Sequence, residues 1–224
     1  MAGQVVRAIR GERGTYRPVH SALCSSCLPL PVAHALLDYT AADTLYLADL
    51  DALTGGAVQE AALVELLAAL PTTSIWIDAA FRTAADFAVL AARLGAAADR
   101  LVPVFASESL PSPDAARQCL NDPARVILSL DRRGDRPLDA AGCWSNPDWW
   151  PDRVIVMSLD RVGSAAGPDL EILEALRRRA PCVAFVGAGG IRNEADLQAA
   201  AAAGGTAWLV ASALHDRLLD RCSG

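Results

Sequence analysis

The feature that most limits how this 224-residue chain can fold is a regular alternation of short apolar runs with longer Ala/Leu-rich ones. Seven runs read as strands: Thr44–Ala48, Ser74–Ile77, Leu101–Phe105, Arg125–Leu130, Arg153–Met157, Cys182–Val186 and Thr206–Val210. Each is short, branched and apolar, as a strand covered on both faces should be. The stretches between them read as helices: Pro31–Asp38, Val58–Ala69, Ala84–Leu94, Pro113–Leu120, Pro168–Arg179, Glu194–Ala203 and Ala213–Leu219. Strands that alternate with helices build a parallel sheet. No linker or low-complexity segment divides the chain, so residues 1–224 read as one domain.

The sequence also repeats itself. Residues 79–87 (AAFRTAADF) align with residues 189–197 (GGIRNEADL) at an offset of 110. Leu45–Asp51 aligns with Val154–Asp160 at an offset of 109. A period of half the chain is too long for a solenoid. It suits an α/β (βα)8 TIM barrel made of two half-barrels that meet near residue 120, with a doubly wound sheet as the alternative. In that scheme Thr44–Ala48 is the second strand, and the first is expected to be missing from the chain. Gln4–Arg10 and Gly11–Pro18 read as an extended arm or hairpin. Bare edges beside the missing strand point to a homo-oligomer or a weakly stable barrel.

Composition removes several chemistries. All 20 basic residues are Arg, so no lysine can form a Schiff base, bind phosphate in a Walker loop or act as a base. The histidines His20, His34 and His215 fit no metal motif by spacing, and neither a metal nor another cofactor is expected. A net charge of −6 argues against nucleic acid as a partner, and no run is apolar enough for a membrane. The cysteines at 24, 27, 119, 143, 182 and 222 follow no evident signal peptide, so a reduced, cytoplasmic protein is expected. Cys24 and Cys27 read as loop thiols, since no second CxxC accompanies them.

In such barrels the loops at the strand C-terminal ends carry function. Gly187-Ala188-Gly189-Gly190 follows a strand and opens a helix, where glycine lets backbone N–H groups approach an anion. Ala211 and Ser212 repeat the pattern after the next strand, and Gly163-Ser164 lies close enough in the scheme to cover the same group. Together they read as a phosphate site for a small phosphorylated metabolite. The matching stretch of the first half, Asp78-Ala79-Ala80-Phe81, has no glycine and carries a carboxylate, so a single phosphate site is expected. Asp131 and Asp49 end strands and are candidate proton-transfer residues; Asp51 reads as a cap. Trp144, in a loop with Trp149 and Trp150, is a candidate ligand-stacking surface. Arg17 and Arg13 of the arm could reach an anionic group, and Ser158 stands at another strand end.

These motifs resemble the histidine-biosynthesis barrels of HisA/HisF type, the isomerase more than the cyclase. Gly3–Arg7, Leu47–Asp51, Leu130-Asp131, Asp160–Gly167, Gly187–Arg192 and Val210–Ala213 carry the resemblance, which spans nearly the whole chain. It implies an aldose–ketose type isomerisation with two aspartates as acid and base and two phosphate sites. Asp131 matches one of those aspartates; the other would precede Gly3. Met157 and Ser158 stand where the family has a threonine, and Asp78-Ala79-Ala80 replaces its other glycine triplet. The Gly11–Pro18 arm and the Trp144 loop resemble a divergent branch associated with one-carbon cofactor gene clusters of the methanopterin or methanofuran type. The expectation is a divergent isomerase or lyase-type enzyme acting on a singly phosphorylated molecule. The alternatives are the ordinary histidine-pathway isomerase and a barrel that binds phosphate without chemistry.

Overall fold

Seven strands in the computed structural model, which describes residues 1–221, run parallel and in register. They are β3 (Thr44–Ala48), β4 (Ser74–Asp78), β5 (Leu101–Ala106), β6 (Ile127–Arg133), β8 (Arg153–Ser158), β9 (Ala184–Ala188) and β10 (Ala207–Leu209). Two short strands, β1 (Val6–Arg7) and β2 (Arg17–Pro18), pair as an antiparallel hairpin, the expected arm. The remaining strand, β7 (Arg136–Pro137), folds back on the end of β6. The helices are α1 (Pro29–Thr40), α2 (Leu50–Leu53), α3 (Glu60–Ala69), α4 (Ala84–Leu94), α5 (Pro113–Cys119), α6 (Leu170–Arg179), α7 (Glu194–Ala202) and α8 (Ser212–His215). Cys222 lies outside the described residues.

Side-chain alternation shows that the sheet curls into a barrel. Tyr46, Trp76, Val104, Ile127, Ile155, Val186 and Leu209, one from each parallel strand, belong to a single apolar cluster. Residues one step away along the strands, such as Ile75, Leu128, Val154 and Phe185, join a second cluster shared with Leu63, Leu66, Leu90, Leu173 and Leu176 of the helices. The first cluster fills the barrel and the second lies between barrel and helices. At the N-terminal end Arg153 stacks on Trp76, 4.9 Å from the ring centroid, so a β8 side chain touches a β4 side chain inside the barrel.

The hydrogen-bonded path runs from β3 to β10, and these two end strands do not pair with each other. Other segments span the interval. Helix α1 packs on α3 and β3, while its Leu36 and Tyr39 join Trp208, Val210, Leu214 and Leu219 in a third cluster. Residues before α1 do the same at the mouth. The N–H groups of Ala2 and Gly3 bond Asp51 and Gln59, Arg7 pairs with Asp216, and the Ala22 N–H bonds the His215 carbonyl.

The half-barrel repeat is visible in its caps. Asp86 accepts from the N–H groups of Arg82 and Thr83, and the Thr83 hydroxyl accepts from the Asp86 N–H. Asp196 accepts from the Arg192 N–H, and Asn193 caps the Asp196 N–H. Several element boundaries differ from the sequence reading, β9 among them: it runs Ala184–Ala188 and not Cys182–Val186, which puts Gly187 inside the strand. β6 starts at Ile127 and continues to Arg133, because residues 131–138 form a turn and pair with β7. The final helix ends at His215 and does not reach Leu219, since Arg217 adopts a φ of +53°.

Candidate active site at the barrel mouth

Three carboxyl groups meet at the C-terminal mouth of β4–β6. Trp76 and Ile127 point into the barrel, so strand periodicity also turns Asp78 and Asp131 inward, at the strand ends. They are 5% and 3% exposed. Asp131 accepts from the Ser129 hydroxyl at 2.8 Å, from Ser107 at 3.4 Å and from the Glu108 N–H at 3.3 Å. Asp78 accepts from the Tyr46 hydroxyl at 3.2 Å and from the Ala80 N–H at 3.3 Å. Glu108, in the loop after β5, pairs with Arg13 of the arm, which also reaches the Leu53 carbonyl.

Burial sets the proton affinities. Loss of water is the largest effect on Asp131, and the charges of Glu108 and Asp78 add to it, so its pKa rises well above the usual carboxylate range. Burial also pushes Asp78 up, to about 6, while the Ala80 N–H, Tyr46 and Arg13 hold it lower than burial alone would. Asp131 therefore holds its proton to higher pH than an ordinary carboxyl group, beside an Asp78 that titrates near 6. A matched acid and base in one cleft is what proton-transfer chemistry requires.

On the opposite side of the mouth, three adjacent loops follow β8, β9 and β10. Gly189 and Gly190 have φ of +82° and +85°, and a Cβ on either would strike backbone, of Val162 and Arg161 or of Gly167. These glycines therefore let the loops after β8 and β9 touch. Among the described residues, the N–H groups of Gly189, Gly190, Ala211, Ser212 and Ala213 make no hydrogen bond. Such N–H groups at strand-to-helix turns are suited to an anion. Gly163 meets the Ala8 carbonyl of the arm, and the Ser164 hydroxyl bonds the Arg161 carbonyl.

Other expected residues lie elsewhere. Gly187 faces outward beneath the Trp208 ring, and packing accounts for its missing side chain. Asp49 is consumed as a cap: it accepts from the N–H groups of Asp51 and Ala52 and from the N–H and side-chain amide of Gln59. That corrects its reading as a proton-transfer residue. Trp144 is buried, with its indole N–H on the Asp131 carbonyl, in the cluster outside the barrel; it presents no open stacking face. Trp150 is likewise buried against Phe185. Arg17 is exposed and donates to the Thr15 and Tyr16 carbonyls, so Arg13 is the arm's cation at the mouth. Ser158 turns away from the interior and donates to Asp169, which also faces Arg132 and Arg161. Sequence reasoning missed Tyr46 as a partner of the acid pair and gave Glu108, a strand-end residue of the functional face, no role there. Their inward strand position and strand-end placement were the available signals.

Residues 150–220 match a family described as "Histidine biosynthesis protein". That segment holds β8 through α8, and thus the three adjacent loops, including the two with free N–H groups. The chain is also similar over nearly its full length to imidazole-4-carboxamide isomerases whose names carry two phosphoribosyl groups. It is 26% identical to that of Paracoccus denitrificans, over 97% of this chain and 92% of the relative. It is 28% identical to that of Klebsiella pneumoniae, over 95% and 89%. An uncharacterized protein of Methanocaldococcus jannaschii is 24% identical over 94% and 87%.

Proposed function

We propose that this divergent relative of the HisA-type histidine-biosynthesis barrels is an isomerase that moves a proton within a small, singly phosphorylated metabolite. The phosphate sits against the N–H groups of Gly189, Gly190, Ala211 and Ser212, beside Gly163 and Ser164, and Asp131 supplies acid/base catalysis. One observation carries the reading: a buried, inward-facing Asp131, its proton affinity raised by burial, shares one mouth with loops whose N–H groups have no partner. Binding the phosphate on one side holds the rest of the molecule over the carboxyl group, which converts affinity into orientation.

A single phosphate follows from the first half of the chain. Asp78 stands where the second half has Ala188, just before the paired Gly189-Gly190. A buried carboxylate there repels a phosphate dianion, and Ala79-Ala80 replaces the glycines. The two phosphoribosyl groups in the relatives' substrate name therefore find one cradle in this chain. A place in one-carbon cofactor synthesis is part of the proposal; it rests on the resemblance of the Gly11–Pro18 arm and the Trp144 loop to a divergent branch of the family.

Ribose 5-phosphate, ribulose 5-phosphate, erythrose 4-phosphate, dihydroxyacetone phosphate and inorganic phosphate form a suitable test panel. Calorimetric titration of the wild type should show saturable binding of at least one phosphosugar. Asp131→Asn should keep that binding and lose proton exchange at the carbon next to the carbonyl. Failure of every compound to bind contradicts the proposal, as does unchanged exchange in Asp131→Asn.

A further inference from the structure

Isomerisation of a phosphorylated aldose or ketose needs two proton-transfer groups at separate atoms. One takes the proton from C2, and the C–H electron pair forms the C1–C2 double bond. The former C1=O pair moves to O1, which takes a proton from the second group. That second group then removes the O2 proton, and C1 receives the proton first taken from C2. Both groups end as they began, and no oxidant, reductant or further reactant is needed. Asp131 is one such group.

The mouth holds a second group that fits. Asp78 faces inward from β4, two strands from Asp131, and is as deeply buried. It is not tied up structurally. An ionised carboxylate has about four acceptor positions, and Asp78 uses two of them, for Tyr46 and Ala80. Asp49, by contrast, spends four hydrogen bonds on a turn. Arg13 acts on Asp78 through its charge alone, because its ion pair is with Glu108.

The half-barrel repeat shows that the fold itself needs no acid here. The equivalent strand end in the second half is Ala188, which is buried in the interior cluster. A carboxyl group buried without an ion pair of its own is costly and persists where chemistry uses it. The same repeat explains Tyr46. It lies next to Asp78 across the β3–β4 pair, and its phenol is the one side-chain hydrogen bond Asp78 receives among the described residues.

We infer that Asp78 is the second proton-transfer residue of this site, working opposite Asp131, and that the Tyr46 phenol positions it. The inference rests on the isomerase reading above. Asp78 takes the C2 proton, and Asp131, which burial makes the stronger holder of a proton, serves the two oxygens. The charged and titratable groups around Asp78 are Tyr46 from β3, Glu108 and Asp131 from the neighbouring strand ends, and Arg13 from the arm.

The test is loss of the signal of the hydrogen beside the carbonyl, C2–H of an aldose or C1–H of a ketose, in deuterated water, followed by proton NMR for the same panel of phosphosugars. Wild-type protein should exchange the hydrogen of the compound it binds. Asp78→Asn and Asp78→Ala, the latter copying the second half, should each lower the exchange rate at least ~100-fold. Both should bind the compound within about threefold of wild type and keep the wild-type circular dichroism spectrum. Tyr46→Phe should keep exchange but move the acid limb of its pH profile to higher pH, because a donor to the charged form is lost. Exchange at the wild-type rate in both Asp78 variants overturns the inference and leaves the isomerase reading standing. Binding without exchange in the wild type, or no binding at all, overturns that reading and this inference with it. An unmoved pH profile in Tyr46→Phe overturns the positioning role.

Discussion

Asp78 and Asp131 face one barrel mouth from β4 and β6, and after burial and Glu108 the charge on Asp78 adds to the raised proton affinity of Asp131. Two carboxyl groups in such an arrangement ionise at different pH, which gives the site an acid and a base together. The relationship depends on burial, so it also leaves a mark on stability.

Asp78 titrates near 6 in the folded protein against an ordinary value of 3.8. A carboxyl whose folded pKa is raised favours folding below its unfolded pKa and loses that contribution as pH rises through the folded value. Wild type should therefore weaken relative to Asp78→Asn between about pH 4 and pH 7, by at most about 3 kcal/mol. Urea denaturation of both proteins at pH 4.5 and 7.5 measures this. An equal gap between them at the two pH values contradicts the burial argument.

The Gly187 position should behave as a packing site. A Cβ there would lie 2.2 Å from the Trp208 ring, so Gly187→Ala should destabilise by roughly 1–3 kcal/mol. Adding Trp208→Leu should recover part of the loss, because the two changes share one contact. Thermal melts of the single and double variants decide it. Phosphosugar affinity should be unchanged once folded protein is compared.

Much of the barrel was legible because strand periodicity and half-barrel repetition are local patterns. The caps at Thr83–Asp86 and Asn193–Asp196 are the repeat in structural form. What was not legible depends on distant partners. A strand-end aspartate reads equally well as catalyst or cap, and only Gln59, folded back from the next turn, makes Asp49 a cap. The Trp144 loop looks polar in sequence, yet its indoles fill the layer outside β6. Nothing local shows that Arg13 of the arm meets Glu108 ninety-five residues later.

Asp49→Ala should destabilise the protein by about 2–4 kcal/mol, since it removes a cap and leaves the Gln59 N–H without its acceptor. Exchange activity per folded molecule should stay near wild type. Denaturation combined with the exchange assay separates these effects, and loss of activity without loss of stability would restore Asp49 as a reacting group.

Arg13→Ala should loosen the arm. The Arg13–Glu108 pair is partly exposed, so the stability cost should be small, on the order of 1 kcal/mol. Proteolysis within residues 8–17 should accelerate several-fold, read by mass spectrometry of limited digests. An unchanged cleavage rate would mean that the ion pair does not hold the arm down.

The placement of a phosphate in the second half of the barrel is tested most directly by backbone amide chemical shifts during titration with inorganic phosphate. The largest saturable shifts should fall on Gly189, Gly190 and Ser212, with Ala79 and Ala80 of the first half unmoved. Saturable shifts centred on Ala79 and Ala80, or no saturable shift at Gly189 and Gly190, would contradict the account.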